Sequence, residues 1–234
     1  DEVLNFETQE RYLDFLQRRA GLEPLAYITG VKEFFGLQLQ IDRRVLDPRP
    51  ETETLVEWAL TCLADTLEPR IADLGTGSGA IALALKHSLP SAQVTAVDAS
   101  ADAISVASAN AQSLGLEIAT FVGNWCAPLT DQSFDLIVSN PPYVADGDTH
   151  LAQLTHEPLS ALVAGKDGLD DLRQIVAQAV RHLKPGAWLL LEHGFDQAQA
   201  VQDLLANQGF ISVQSRQDLA GILRCTGGQW PRVK

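Results

Sequence analysis

Downstream of Pro69 one pattern recurs: a short apolar run, a turn marked by glycine or polar residues, then a longer amphipathic run. Strands are predicted at Arg70–Leu74, Gln93–Val97, Glu117–Val122, Phe134–Ser139 and Ala187–Glu192, and helices at Gly79–Ser88, Ala101–Leu114, Leu169–Leu183 and Gln197–Asn207. Strands that are largely apolar need cover on both faces, and the intervening helices supply it. The pattern predicts an α/β fold: a doubly wound, mostly parallel sheet. Two further runs, Phe210–Arg216 and Ile222–Thr226, flank a hairpin loop, bring the sheet to seven strands and predict an antiparallel final edge.

Before Pro69 the texture differs. Glu7–Arg19 gathers Tyr12, Leu13, Phe15 and Leu16 on one helical face, with Gly21 as its stop. Between Ile28 and Ile41, alternation around Gly36 predicts a hairpin. Pro48-Arg49-Pro50 breaks the chain, and Glu51–Ala64 returns to helical period through Leu55, Val56, Ala59, Leu60 and Leu63. Residues 1–47 are therefore expected as a small helix-and-hairpin appendage, and 48–234 as the main domain.

Composition excludes several function classes. No apolar run approaches the roughly 20 residues of a membrane span, and Asp1-Glu2-Val3 does not open a secretory leader. A soluble, cytoplasmic, monomeric protein is expected. Seventeen Lys and Arg against thirty Asp and Glu give a formal charge of −13, which repels polyanions and argues against a nucleic-acid partner. Cys62, Cys126 and Cys225 form no CxxC pair, and the five histidines no HxxxH pair, so neither a disulfide framework nor a metal site is predicted.

Three constellations carry chemistry. The first is Gly75-Thr76-Gly77-Ser78-Gly79, where a buried strand turns into a helix. Alternate glycines let a ligand approach the backbone, and in an open parallel sheet this turn lies beside the ligand crevice. The spacing is GxGxG, not the GxGxxG of dinucleotide folds; the plain alternative is a tight turn. The second is Asp98, ending the next strand, where nucleotide folds place an acid on ribose hydroxyls. Its plain alternative is an N-cap for the helix from Ala101. The third is Asn140-Pro141-Pro142-Tyr143 at the end of an apolar strand. Two prolines remove two N–H donors. Backbone carbonyl oxygens and the Asn140 side-chain oxygen then supply two acceptors for the two hydrogens of a planar NH2 group. Such a nitrogen is a weak nucleophile, so catalysis rests on orientation and on support of developing positive charge rather than on a strong base.

Together these motifs resemble the class I S-adenosylmethionine-dependent methyltransferases, a Rossmann-like fold. The chain is similar in particular to the protein-glutamine methyltransferases that modify peptide-chain release factors, the HemK family. The likeness runs through Pro24–Gly30, Phe34, Pro48-Arg49-Pro50-Glu51-Thr52-Glu53, the glycine loop, Asp98, Asn140–Tyr143, Glu157-Pro158-Leu159-Ser160-Ala161-Leu162 and Leu191-Glu192-His193-Gly194. NPPY alone also occurs in enzymes that methylate the exocyclic amine of adenine; the PRPETE stretch narrows the likeness. The resemblance implies methyl transfer from S-adenosylmethionine to the side-chain amide nitrogen of the glutamine in a release factor's Gly-Gly-Gln loop. It implies that Asn140, Pro141, Pro142 and Tyr143 bind that glutamine, that Gly75 to Gly79, Asp98 and Asn140 hold the cofactor, and that Trp125 lies against adenine. It also makes residues 1–47 the remnant of a helical amino-terminal domain with its linking hairpin. The chain departs from the family at Asn124, where an acid is usual, at Asp47, where an apolar residue is usual, and at Cys126, where an aromatic is common.

Rival readings move the target to a ribosomal-protein glutamine or to adenine, or make the chain an inactive interaction module of the same fold. Trp58, Trp188 and Phe34-Phe35 are read as core. Asp167, Asp170 and Asp171 are read as dipole partners of a helix start, without chemistry. The tail tripeptide Gly227-Gly228-Gln229 is read as a turn after the last strand, with a flexible pseudo-substrate tail as the sharper alternative.

Overall fold

The computed structural model describes residues 5–232; Asp1-Glu2-Val3, considered above for a leader, lies outside them, as do the outermost ends of the two expected domains. The amino-terminal part runs α1 (Phe6–Ala20), α2 (Leu25–Thr29), the hairpin β1 (Val31–Phe34) and β2 (Leu37–Gln40), and α3 (Glu53–Cys62), which a 3₁₀ turn at Pro50–Thr52 leads into. The Asn5 side chain caps α1 by accepting from the Thr8 N–H at 2.9 Å. This helix buries none of its residues, and Tyr12, Leu13 and Leu16 are exposed. Ile28 and Thr29 belong to α2 rather than to the predicted hairpin, because Gly30 takes a left-handed φ of 78° and closes the helix just before β1. At the hairpin tip both Phe35 (φ 50°) and Gly36 (φ 77°) are left-handed, as a two-residue turn matching the strand twist requires.

The main sheet follows: β3 (Arg70–Leu74), α4 (Ala80–Ser88), β4 (Gln93–Asp98), α5 (Ala101–Leu114), β5 (Ala119–Val122), β6 (Phe134–Ser139), α6 (Asp170–Ala179), β7 (Leu183–Glu192), α7 (Ala198–Gln208), β8 (Ile211–Gln217) and β9 (Leu223–Gln229). Seven strands lie in the order β5-β4-β3-β6-β7-β9-β8, parallel up to β7, with β9 antiparallel to both neighbours. The predicted doubly wound, mostly parallel sheet with an antiparallel end is what forms. Side chains alternate across a strand, so Ile71, Val94, Leu136 and Val138 enter one core with α3, α4 and α5, while Ala72, Leu74, Val97 and Ile137 enter the other with α6 and α7. Phe34, Leu37 and Leu39 of the hairpin join the first core. Trp58 and Phe34 are fully buried, and Trp188 packs tilted against Trp58 with ring centroids 6.2 Å apart.

Several boundaries differ from expectation. Helix α6 ends at Ala179, short of the predicted Leu183, and β7 already pairs at Leu183, across from Phe134, with a register shift before the Leu136–Trp188 pair. An irregularity of the ladder accommodates Pro185, which cannot donate to it. The tripeptide Gly227-Gly228-Gln229 is neither a turn nor a free tail: all three residues pair within β9. A Cβ on Gly227 would come within 2.4 Å of Leu190 Cδ2 and 2.9 Å of Trp58, and one on Gly228 within 2.9 Å of Phe210. The glycines are there because no side chain fits, and the tripeptide cannot serve as a flexible pseudo-substrate. Among the described residues no helix is long and apolar enough to cross a membrane.

Candidate active site

The chain winds from β3 outward through β4 and β5, then returns to β6 on the other side of β3. A crevice opens at such a reversal, beyond the carboxyl ends of the strands. Here it is a cavity of about 430 Å³, within the roughly 300–1,000 Å³ of small-molecule sites.

Its floor is the glycine loop. Gly75, Gly77 and Gly79 all have positive φ. The N–H groups of Gly75 and Thr76 donate to the Val97 carbonyl at 2.8 and 3.0 Å, tying the loop to the next strand. A Cβ on Gly75 would sit 3.3 Å from the Trp125 ring, whereas on Gly77 it would meet nothing within 4 Å and point into open space. Beneath the loop the fully buried Asp73 accepts from the Thr76 hydroxyl at 2.6 Å and the Ala82 N–H at 3.2 Å. Burial pushes its carboxyl up to about 7 despite those bonds. Gly79 starts α4, and a Cβ there would crowd Leu83 and Ala107.

Asp98 Oδ2 accepts from the Gly77 N–H and Oδ1 from the Ser100 N–H, each at 2.9 Å. The cap of α5 is Ser100, whose side chain accepts from Ala103 N–H, so Asp98 is not the N-cap. Each carboxylate oxygen keeps a lone pair for a further donor, and the side chain lines the cavity. Burial raises its pKa, while the two N–H bonds oppose the rise.

Trp125 forms a wall. Its backbone is left-handed, φ 49°, an unusual state for a bulky residue and a mark of local strain. Its indole stands near the Asp171 carboxylate and favours that group's charged form, against the burial and the neighbouring Asp170 that raise its pKa. Asp171 lines the cavity and so does more than offset a helix dipole, the role assigned from sequence. Asp167 and Asp170 instead pair with Arg173.

At the other end stands Asn140, whose side-chain Nδ2 donates to Thr52 Oγ1 at 3.2 Å. Tyr143 O–H donates to Glu192 Oε1 at 3.4 Å, and burial raises the phenol pKa strongly. Glu192 is itself fully buried, with its carboxyl pushed up to about 7 by desolvation, which the Thr52 hydroxyl, Arg224 and Tyr143 oppose. The turn is pinned from behind: Val144 N–H donates to Leu162 O at 2.8 Å, and Gln197 Nε2 to Tyr143 O at 3.0 Å.

A strap of charges closes the flank. Arg49 Nη2 lies 2.6 Å from Glu157 Oε1, and buried Asp47 lies 3.5 Å from Arg49 and 3.2 Å from Lys32. The acid at position 47 is thus accommodated by two cations. The strap joins the PRPETE stretch to the Glu157–Leu162 stretch, whose Pro158, Ser160 and Ala161 line the cavity.

Of the residues singled out from sequence, Gly75, Gly77, Asp98, Trp125, Asn140 and Pro142 line this one cavity. Thr76, Ser78, Gly79, Pro141 and Tyr143 do not line it. Sequence reading missed Thr52, Asp171 and Glu192 as site-builders. The only sign of Thr52 and Glu192 was their place inside stretches shared with a known family. Among the described residues the ionisable side chains on the cavity wall are Arg44, Asp98 and Asp171; none is positioned as a strong base beside Asn140.

A methyltransferase small domain model matches residues 56–164. A release factor glutamine methyltransferase from Xylella fastidiosa is 49% identical over 225 residues, covering 95% of this chain and 82% of that protein. One from Coxiella burnetii is 46% identical over 222 residues, covering 94% and 80%. The crystal structure of a methyltransferase from Pyrococcus furiosus superposes with a TM-score of 0.62 at 18% identity, covering 97% of this chain and 99% of that one, which shows the fold. With identity of this order along almost its whole length, the chain belongs to the release factor glutamine methyltransferase family.

Proposed function

We propose that the protein transfers a methyl group from S-adenosylmethionine to the side-chain amide nitrogen of the glutamine in the Gly-Gly-Gln loop of a peptide-chain release factor. One observation carries this reading: Asp98 and Asn140 line the same cavity, so a carboxylate suited to sugar hydroxyls and an acceptor suited to an NH2 group face one space. The residues present fit the cofactor. Gly77 leaves open room against the backbone, Asp98 has lone pairs to spare, and Trp125 offers a ring face beside the loop. Bound there, S-adenosylmethionine supplies an electrophilic methyl on a sulfonium.

The chain's own part is placement and electrostatics. Asn140 Oδ1 and a backbone carbonyl of the Pro-Pro turn accept the two amide hydrogens, which holds the nitrogen and supports the positive charge it gains as the new bond forms. No side chain is asked to remove a proton before transfer: the sulfonium–methyl bond breaks as the nitrogen–methyl bond forms, S-adenosylhomocysteine is the leaving group, and the methylated amide then loses its extra proton to water. The three free cysteines suit the reducing cytoplasm where such a substrate is made, and the charge of −13 favours a protein acceptor over nucleic acid.

The test is parallel incubation of the protein with methyl-labelled cofactor and a release factor, a ribosomal protein pool, or DNA. Label in the release factor is expected. Label confined to either other arm would overturn the reading, and no cofactor binding by calorimetry would mark an inactive module.

A further inference from the structure

An asparagine amide can face a pocket with its oxygen or, turned over, with its NH2, and only the first accepts hydrogen bonds from a glutamine amide. Something must hold the difference. Asn140 Nδ2 donates to Thr52 Oγ1 at 3.2 Å, and the Thr52 hydroxyl in turn stands near the buried Glu192 carboxylate, whose charged form it favours. A hydroxyl has one hydrogen. An ionised Glu192 can only accept, so it claims that hydrogen, and Thr52 is left to accept from Asn140. Glu192 is 1% exposed and its Oε2 has no hydrogen-bond partner among the described residues, a costly arrangement for a purely structural acid.

We propose that Thr52 and Glu192 are positioning residues that set which way round the Asn140 amide points, so that the cradle reads an NH2 group and rejects a carboxylate. The idea rests on the functional reading above and deepens it: the relay explains how the site tells glutamine from glutamate. With the polarity fixed, a substrate carboxylate meets only oxygen lone pairs. With the relay cut, Asn140 is free to turn its NH2 inward, and a carboxylate becomes acceptable.

The test compares wild type, Thr52→Val, Thr52→Ser and Glu192→Leu. For each, kcat and KM are measured on a release factor, and inhibition by the same factor carrying glutamate in place of its target glutamine. Thr52→Val is expected to lower kcat about tenfold and to narrow the preference for glutamine over glutamate by a similar factor, the scale of one oriented hydrogen bond. Affinity for S-adenosylmethionine should stay within about twofold, because that end of the cavity keeps its contacts. Thr52→Ser restores both kcat and preference. Glu192→Leu, which replaces a buried charge by an apolar group of similar size, should narrow the preference as Thr52→Val does, and it carries the test if Thr52→Val does not fold. Unchanged preference in whichever of these two folds, or a Thr52→Ser protein as impaired as Thr52→Val, overturns the relay. A wild-type protein that transfers nothing to the release factor strikes the functional reading instead.

Discussion

The two ends of the cleft are built differently. The glycine-loop end comes from short stretches of consecutive residues: the Gly75 and Thr76 N–H groups bond Val97 on the next strand, and Asp98, its neighbour, bonds Gly77 one βα unit away. The acceptor end is assembled from distant pieces. Thr52 meets Asn140 across 88 positions, Tyr143 meets Glu192 across 49, and Arg49 meets Glu157 across 108. A ligand contact made by local backbone is robust, since it needs only the turn. A contact made by side chains from three elements can be tuned, which is why the proposed relay places selectivity there.

The largest expected effect falls on the acceptor end. Asn140→Ala should reduce kcat about 10²–10³-fold, the scale seen when one preorganised hydrogen-bonding group is lost from a transition state. Single-turnover methyl transfer measures it, and a near wild-type rate would show that the cradle is misassigned. Next comes the loop end. Asp98→Ala removes a charged acceptor whose hydrogen bonds contribute about 1.5–3 kcal/mol each, so the Kd for cofactor should rise at least tenfold. Calorimetry with the variant's fold checked by circular dichroism reads this directly, and unchanged affinity would remove Asp98 from the cofactor site.

The same contrast governs what could be read from the sequence. Strands Arg70–Leu74 and Phe134–Ser139 and helix Ala101–Leu114 form with the expected ends, because apolar runs and helical periodicity are local signals. The candidate cofactor residues were legible for the same reason: glycine spacing and an acid after a strand are patterns within a few residues. Thr52, Asp171 and Glu192 carry no such pattern. Each matters through a partner that only the folded sheet brings near. The tail tripeptide failed in another way, since glycines that signal a turn locally are required here by Leu190, Trp58 and Phe210 packed against the strand.

A smaller effect sharpens the boundary between the two ends. Asp171→Ala removes the carboxylate beside the Trp125 indole on the cavity wall. Cofactor affinity should fall about threefold, in keeping with one partly exposed hydrogen bond, while kcat at saturation holds. An effect as large as that of Asp98→Ala would mean that Trp125 does more than form a wall.

A separate effect is one of pH on stability. Desolvation lifts Glu192 from 4.5 to about 7, against the help of Thr52, Arg224 and Tyr143 and with Glu51 adding to the rise; Cys225 packs nearby. The folded chain therefore keeps this proton where the unfolded chain has released it. The stabilisation is fully present below about pH 4.5 and is lost as pH rises through about 7. In thermal unfolding, Glu192→Gln should gain on wild type in Tm as pH goes from about 5 to about 8. Parallel Tm profiles would place the Glu192 titration outside that window.

On the proposed function, one end of the cleft holds the cofactor and the other end presents the nitrogen. The most direct test is equilibrium titration of S-adenosylmethionine into Asn140→Ala beside wild type and Asp98→Ala. Asn140→Ala, though slowed about 10²–10³-fold in methyl transfer, is expected to bind cofactor within about threefold of wild type, while Asp98→Ala is not. An Asn140→Ala protein that loses cofactor affinity as severely as Asp98→Ala would contradict that division of the cleft.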